Sequence, residues 1–244
     1  MRFGLAFNYV LGRTGGFANL LLLAVCGFIP VVGPIVALGY RAEVAQTLLR
    51  DDERRRHPKF DFNLFAEYLG RGIWPFVMGL IVGMVGAFAV FVSFFLAFVA
   101  ATFDPIAGLI VGILGYTASI FLIVAVSAPM QFHAELAGKL DFAAAFQFAK
   151  SFWFTVGAQA ILAWLIFLPL SMFVVILGLL LCVVGVYPAA ALVQMAGLHL
   201  MVQLYDEYLD RGGDPIREYE PPEEEDERRS RRRRRRDEED DDRY

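Results

Sequence analysis

"GIWPFVMGLIVGMVGAFAVFVSFFLAFVAATF", residues Gly72–Phe103, carries no charged side chain. A helix needs ~20 apolar residues to cross a ~30 Å hydrocarbon core, so this stretch reads as a membrane span with residues to spare. It is followed at once by Asp104-Pro105 and a second stretch, Pro105–Ala134, which holds no Asp, Glu, Lys or Arg and a single His, His133. Asp104 is a lone charge between the two, and Pro105 suits the first turn of a new helix. The pair is therefore expected as a helical hairpin, about 73–101 with 105–133.

The same pattern recurs on both sides. Thr14–Tyr40 is uncharged, and Ser151–Tyr205 contains only His199. The latter is too long for one span and breaks naturally near Gly185, Tyr187 and Pro188, giving a second hairpin, about 153–180 with 187–207. In the chain as a whole 57% of the 244 residues are hydrophobic, 23 of them Phe, and the 20% that are charged crowd into one connection and the tail. A water-soluble domain would spread its charges over every surface element. The composition points to an integral membrane protein, and the net charge of −4 says little. No basic patch, clean apolar core and small-residue cleavage site open the chain, so no cleavable signal peptide is expected.

The first segment leaves two readings open. Pro30 and Pro34 bracket a break in residues 16–50, which form either one kinked span or a shallow hairpin whose second arm leaves the membrane at Arg41. Two full spans would place Arg41 and Glu43 in lipid, at several kcal/mol each.

Basic residues set the expected orientation. The 41–72 connection holds Arg41, Arg50, Arg54, Arg55, Arg56, Lys59 and Arg71; a later one holds Lys139 and Lys150; the tail holds an arginine run. The turns at 102–105 and 181–188 have no Lys or Arg. The positive-inside rule then puts the basic segments and the C-terminus in the cytoplasm and the short turns outside.

A short aromatic pattern occurs three times: "FGLAFNY" (Phe3–Tyr9), "FNLFAEY" (Phe62–Tyr68) and "FAAAFQF" (Phe142–Phe148). In the second copy Phe62, Phe65, Ala66, Leu69 and Ile73 share one helical face, and Asn63, Glu67 and Arg71 the other. In the third, Phe142, Ala145, Phe146 and Ala149 oppose Gln147 and Ser151. This is the pattern of a short amphipathic helix in the membrane interface. Asp61 and Asp141 stand where N-caps are expected, and Trp74 and Trp153 where an aromatic belt would fall. The fold expected is all-α: a polytopic membrane helix bundle of three helical hairpins, each preceded by a short interfacial amphipathic helix. That makes six helices, with five spans as the alternative. The helical domain covers residues 1–212 and a disordered, charged tail 213–244.

The stretch "GFIPVVGPIVALGYRAEVAQTLLRDDERRRHPKFDFNLFAEYLGRG" resembles the prokaryotic membrane family known as domain of unknown function 4013. The resemblance lies in the Ile29-Pro30 break, Gly39-Tyr40 leading into an arginine, Pro58-x-Phe60-Asp61, and Gly70-x-Gly72 opening the next span. It covers most of residues 3–210. Where the family often has a further acidic residue after Phe-Asp, this chain has Phe62. The resemblance implies a multi-pass bundle in a prokaryotic inner membrane and no established activity or catalytic residue.

Motifs for chemistry are sparse. His133-Ala-Glu135 mimics the zinc-deaminase His-x-Glu, but no Pro-Cys-x-x-Cys completes the metal shell, and it reads as an interfacial helix end. Gly12–Gly16 lacks the Gly-Lys-Ser/Thr of a phosphate loop. No His-Glu-x-x-His or Gly-x-Ser-x-Gly occurs. Cys26 and Cys182 lie in or beside apolar runs and read as small apolar residues, so neither metal nor cofactor is expected.

Candidate intramembrane polar residues are His199, Gln159 and Gln194, which with Ser119 could line a water-filled path if their helices converge. Gln131, Gln159, Gln194 and Gln203 are expected to bond between helices, at ~0.6 kcal/mol or somewhat more each. No acid sits inside an apolar run, which argues against ion-coupled transport. Gly79 and Gly83, and Gly108 and Gly112, are candidate helix-packing pairs. Their depths differ, so each pair is expected to meet another helix or a second copy in a homo-oligomer. In the tail, Arg231, Arg232, Arg233, Arg234, Arg235 and Arg236 could contact anionic lipid or protein. Acidic blocks within a Debye length of ~8 Å offset them, so nucleic acid is not an expected partner. These features together favour a non-enzymatic scaffold or accessory subunit, with a channel or transporter for a neutral or lipid-like solute as the alternative.

Overall fold

The computed structural model describes residues 6–7, 9–10, 16–50, 58–180 and 183–219. Its elements are all helical: α1 (Gly16–Gly27), α2 (Val32–Arg50), α3 (Phe65–Phe103), α4 (Pro105–Ala137), α5 (Phe142–Leu180) and α6 (Val186–Asp210). Short 3-10 turns at Phe62–Leu64 and Val183–Gly185 lead into α3 and α6.

α3, α4 and α5 are each long and apolar enough to cross a membrane. In their most apolar windows only 6%, 6% and 22% of the residues are buried within the protein. Phe88, Phe91 and Phe98 are 66%, 66% and 70% exposed, and Leu114 65%. Apolar surface this continuous is not left in water by a monomer. The molecule is a helical membrane protein, with lipid tails around these faces.

The α3–α4 turn forms as its residues require. Asp104 caps α4 through Oδ1, which accepts from the Ile106 amide at 2.8 Å, with Pro105 in the first turn. Small residues line the hairpin seam: Gly108 meets Ala101, Gly112 meets Ala97, and Gly115 meets Ser93. The Ser93 and Ser119 hydroxyls are 2.9 Å apart. The glycine pairs are corrected here. They do not face each other, yet Gly108 and Gly112 do close their own hairpin, because glycine against alanine already brings two helices into contact. Gly79 lies under the Gln131 amide of α4, and Gly83 faces open space.

Residues 16–50 reverse direction instead of forming one kinked span. The chain turns at 28–31, where Val31 adopts a φ of 65°, sparsely populated for a β-branched residue. Asn19 and Tyr40, on opposite arms, both donate to the Pro58 carbonyl, at 3.0 and 2.8 Å. At ~1.5 Å per residue, α1 is ~18 Å long and reaches only part-way through a bilayer.

The family-like residues have physical roles in this region. α2 and α3 cross with their backbones touching: a Cβ on Gly39 would strike the Tyr68 carbonyl, and one on Gly72 the Ile35 carbonyl. Gly70, by contrast, has nothing beside it. Phe60 is buried between the Tyr40 and Tyr68 rings, with centroids 5.2 Å from each.

The aromatic repeat takes a form its pattern did not reveal. Its second and third copies are not separate helices but the approach to α3 and the first turns of α5. Breaking the ladder there would strand unpaired N–H and C=O groups in an apolar setting. Asp61 and Asp141 do cap, accepting from the Asn63 and Ala144 amides at 2.9 and 3.0 Å. The last aromatic of each copy is the anchor: Tyr9, Tyr68 and Phe148 are 4%, 1% and 7% exposed, whereas Phe62 and Phe146 face outward. Of the first copy, Phe3, Gly4, Leu5 and Asn8 lie outside the described residues.

Candidate functional site

α2 carries its first charge, Arg41, one residue beyond the uncharged run, and α4 carries its first, Glu135, one residue beyond another. The α2–α4 contact brings them together, with Arg41 Nη2 3.1 Å from Glu135 Oε1. Neither Glu135 oxygen receives an aligned hydrogen bond from the described residues, and Arg41 Nε is buried without an acceptor. The two sides differ in access: the Arg41 side chain is 17% exposed and that of Glu135 1%.

Arg41 opens onto a cavity of about 450 Å³ between α1, α2, α4 and α6. Its polar lining is Arg41, Gln131, Gln194 and Tyr187, and Leu23, Leu38 and Met195 are among its apolar residues. A neighbouring pocket of about 180 Å³ shares Arg41, Gln131 and Gln194 and adds Phe132, Trp164 and Gly197. The arrangement can bind. A few hydrogen-bonding side chains in an otherwise apolar wall fix the orientation of a ligand. It holds no pairing of a nucleophile with a base. Among the described residues no three His, Cys, Asp or Glu side chains gather to hold a metal.

A second polar cluster ties the helix ends together. Arg71 of α3 is buried; its Nη2 donates to Gln46 Oε1 at 2.7 Å and its guanidinium lies 5.2 Å from the Tyr219 ring. Gln46 Nε2 donates to the Tyr219 carbonyl at 3.2 Å, and the Tyr219 amide donates to the Leu136 carbonyl at 2.8 Å. The Ile216 and Asp214 amides donate to the Tyr205 and Tyr208 hydroxyls at 2.7 and 3.1 Å. Residues 213–219, expected to begin the disordered tail, are instead strapped across the bundle. Arg231–Arg236 lie outside the described residues.

Of the candidate path residues His199, Gln159, Gln194 and Ser119, Gln194 lines the cavity, together with Gln131, and the other three are elsewhere. His199 is buried, with Nδ1 2.9 Å from Gln203 Nε2 on the same helix and its ring 5.0 Å from that of Tyr9. Gln159 has its side-chain amide against the Arg211 guanidinium, and the orientation that satisfies both groups turns the amide oxygen toward Arg211. Ser119 belongs to the α3–α4 seam. The polar path envisaged from Gln159, Gln194, Ser119 and His199 therefore does not form, because helical rotation points these residues to different neighbours. His133 is buried, its ring 5.8 Å from that of Phe148. Cys26 is buried with a free thiol; Cys182 lies outside the described residues.

In the sequence Arg41 belongs to a basic connection and Glu135 to the His-x-Glu pattern, 94 positions apart, and no motif joins them. Each being the first charge after a long apolar run was the available signal. At the connection between α4 and α5, Asp141 is half-buried, its carboxylate 3.7 Å from Lys139 Nζ. The hydrogen bond from the Ala144 amide, helped by nearby Lys139, holds its carboxyl below the usual range.

A family model described as "Protein of unknown function (DUF4013)" matches residues 22–184. No curated protein and no solved structure matches the chain.

Proposed function

Since the chain belongs to the DUF4013 family, which brings no assigned activity, we propose its role from the geometry alone: a non-enzymatic, multi-pass scaffold or accessory subunit of the cell membrane. The basic connections and the C-terminus face the cytoplasm. The observation that carries this reading is the strap at 213–219. Tyr219 is held by α2, α3 and α4 side chains and backbone, so the charged segment that follows leaves from a fixed point at the basic end of the bundle. Polar groups elsewhere also tie the bundle together: Asn19 Oδ1 of α1 accepts from the Phe60 amide of the α2–α3 connection at 3.1 Å, and the Ser151 and Tyr208 hydroxyls of α5 and α6 are 3.0 Å apart.

The test is co-purification from native membranes of the full chain and of a chain ending at Tyr219. Partners lost on truncation support tethering through the charged tail. An unchanged partner set removes that support. The second reading, binding or transport of a lipid-like solute, is favoured by the cavity at Arg41.

A further inference from the structure

The cavity beside Arg41 has a chemical preference of its own. Glu135 lines neither pocket, and Arg41 lines both. The buried pair thus presents its cation to the cavity and hides its anion behind. Glu135 faces the guanidinium at Nη2 alone, and the fork geometry leaves further N–H groups for a second acceptor. Gln131 and Gln194 add amide donors from α4 and α6. Neither amide has a hydrogen-bond partner among the described residues.

The rest of the wall is hydrocarbon: Leu23 of α1, Leu38 of α2, Ala191 and Met195 of α6. A space of about 450 Å³ is larger than a bare ion needs and within the range that takes an organic ligand. Gln194 is exposed at the opening, on a helix of a lipid-embedded bundle.

We propose that this cavity binds the oxyanion head, carboxylate or phosphate, of a single-chain amphiphile. Arg41 is the charged contact, Gln131 and Gln194 are the amide contacts, and the α1–α6 wall receives the start of the chain. The site rests on the second reading above only for its cavity. It requires neither transport nor the tethering role, and a binding assay can fail while co-purification succeeds.

The experiment is saturation binding of radiolabelled oleate to the full chain in a neutral maltoside detergent. Oleyl alcohol, lysophosphatidate, acetate and inorganic phosphate serve as competitors. Saturable binding is expected, with oleyl alcohol about tenfold weaker because it cannot accept a charge-assisted bidentate pair. Competition by lysophosphatidate as well as oleate means either head group is accepted; competition by oleate alone restricts the site to carboxylates.

The R41Q/E135Q double variant keeps the buried pair neutral and is expected to bind oleate about tenfold more weakly. Should that variant fail to elute as a folded species, Gln194→Leu at the opening carries the test, with an expected loss of about threefold. Equal competition by oleyl alcohol would overturn the oxyanion preference. Acetate or phosphate competing as well as oleate would overturn the amphiphile. Unchanged binding in the folded variants would overturn the site itself.

Discussion

The basic end of the bundle and the outer half of the α3–α4 hairpin are both rich in aromatic residues, and they are solvated in opposite ways. Around Phe60, Tyr40, Tyr68, Phe148 and Tyr208, rings pack on rings inside the protein, and charged groups such as Arg71 and Glu135 are buried among them. Along Phe88, Phe91, Phe94, Phe95 and Phe98 nearly every ring faces outward, and the seam between the helices is alanine, glycine and serine. In the first region burial of apolar area holds the fold. In the second, lipid already supplies an apolar surrounding, so close backbone approach and the Ser93–Ser119 contact hold the helices together.

The sharpest way to break this contrast is at the basic end. Glu135→Leu leaves Arg41 as an uncompensated, largely buried charge and is expected to cost about 3–5 kcal/mol. The R41Q/E135Q double variant should recover much of that loss in thermal unfolding in detergent. Next in size is a charge on the lipid-facing side. Phe88→Arg, in the middle of the uncharged run, is expected to disfavour insertion of α3 by about 3 kcal/mol. It should cost little if that face were packed against protein with a spare acid, and glycosylation-tagged insertion assays measure the difference.

Asn19→Ala removes the acceptor for the buried Phe60 amide and should destabilise by about 1–3 kcal/mol, read as a lowered Tm. The smallest effect belongs to Asp141. Its folded pKa is depressed, so its contribution to stability is present above the unfolded carboxylate pKa and is lost as pH falls through the folded value. Asp141→Asn should flatten the acid limb of a Tm-against-pH curve, lowering Tm slightly at neutral pH and leaving it almost unaffected below the folded pKa.

The same contrast explains what was legible in the sequence. Hairpin limits were readable because lipid-facing helices answer to composition alone: the runs ending at Phe103 and beginning at Pro105 mark α3 and α4 to within a turn at the Asp104 side. The caps at Asp61 and Asp141 were readable because they are local. The reversal at 28–31 was undecided, because an apolar run with two prolines suits a kink as well as a hairpin. The cavity was not legible. Arg41, Gln131 and Gln194 stand on three helices, and only the α2–α3 backbone crossing at Gly39 and Gly72 sets where α2 lies. The docked strap was missed for a related reason. The Pro-Glu-Arg composition of the early tail says nothing of the Tyr205 and Tyr208 hydroxyls waiting to accept its amides.

The most direct test of the lipid-solvated hairpin is impermeant thiol labelling of Lys139→Cys and Asp104→Cys in intact cells and in inverted vesicles, with Cys26 and Cys182 replaced by serine. The expected result is reaction at position 104 only in intact cells and at position 139 only in inverted vesicles, because α4 alone separates them and spans the bilayer. Reaction of both positions in the same preparation would contradict it.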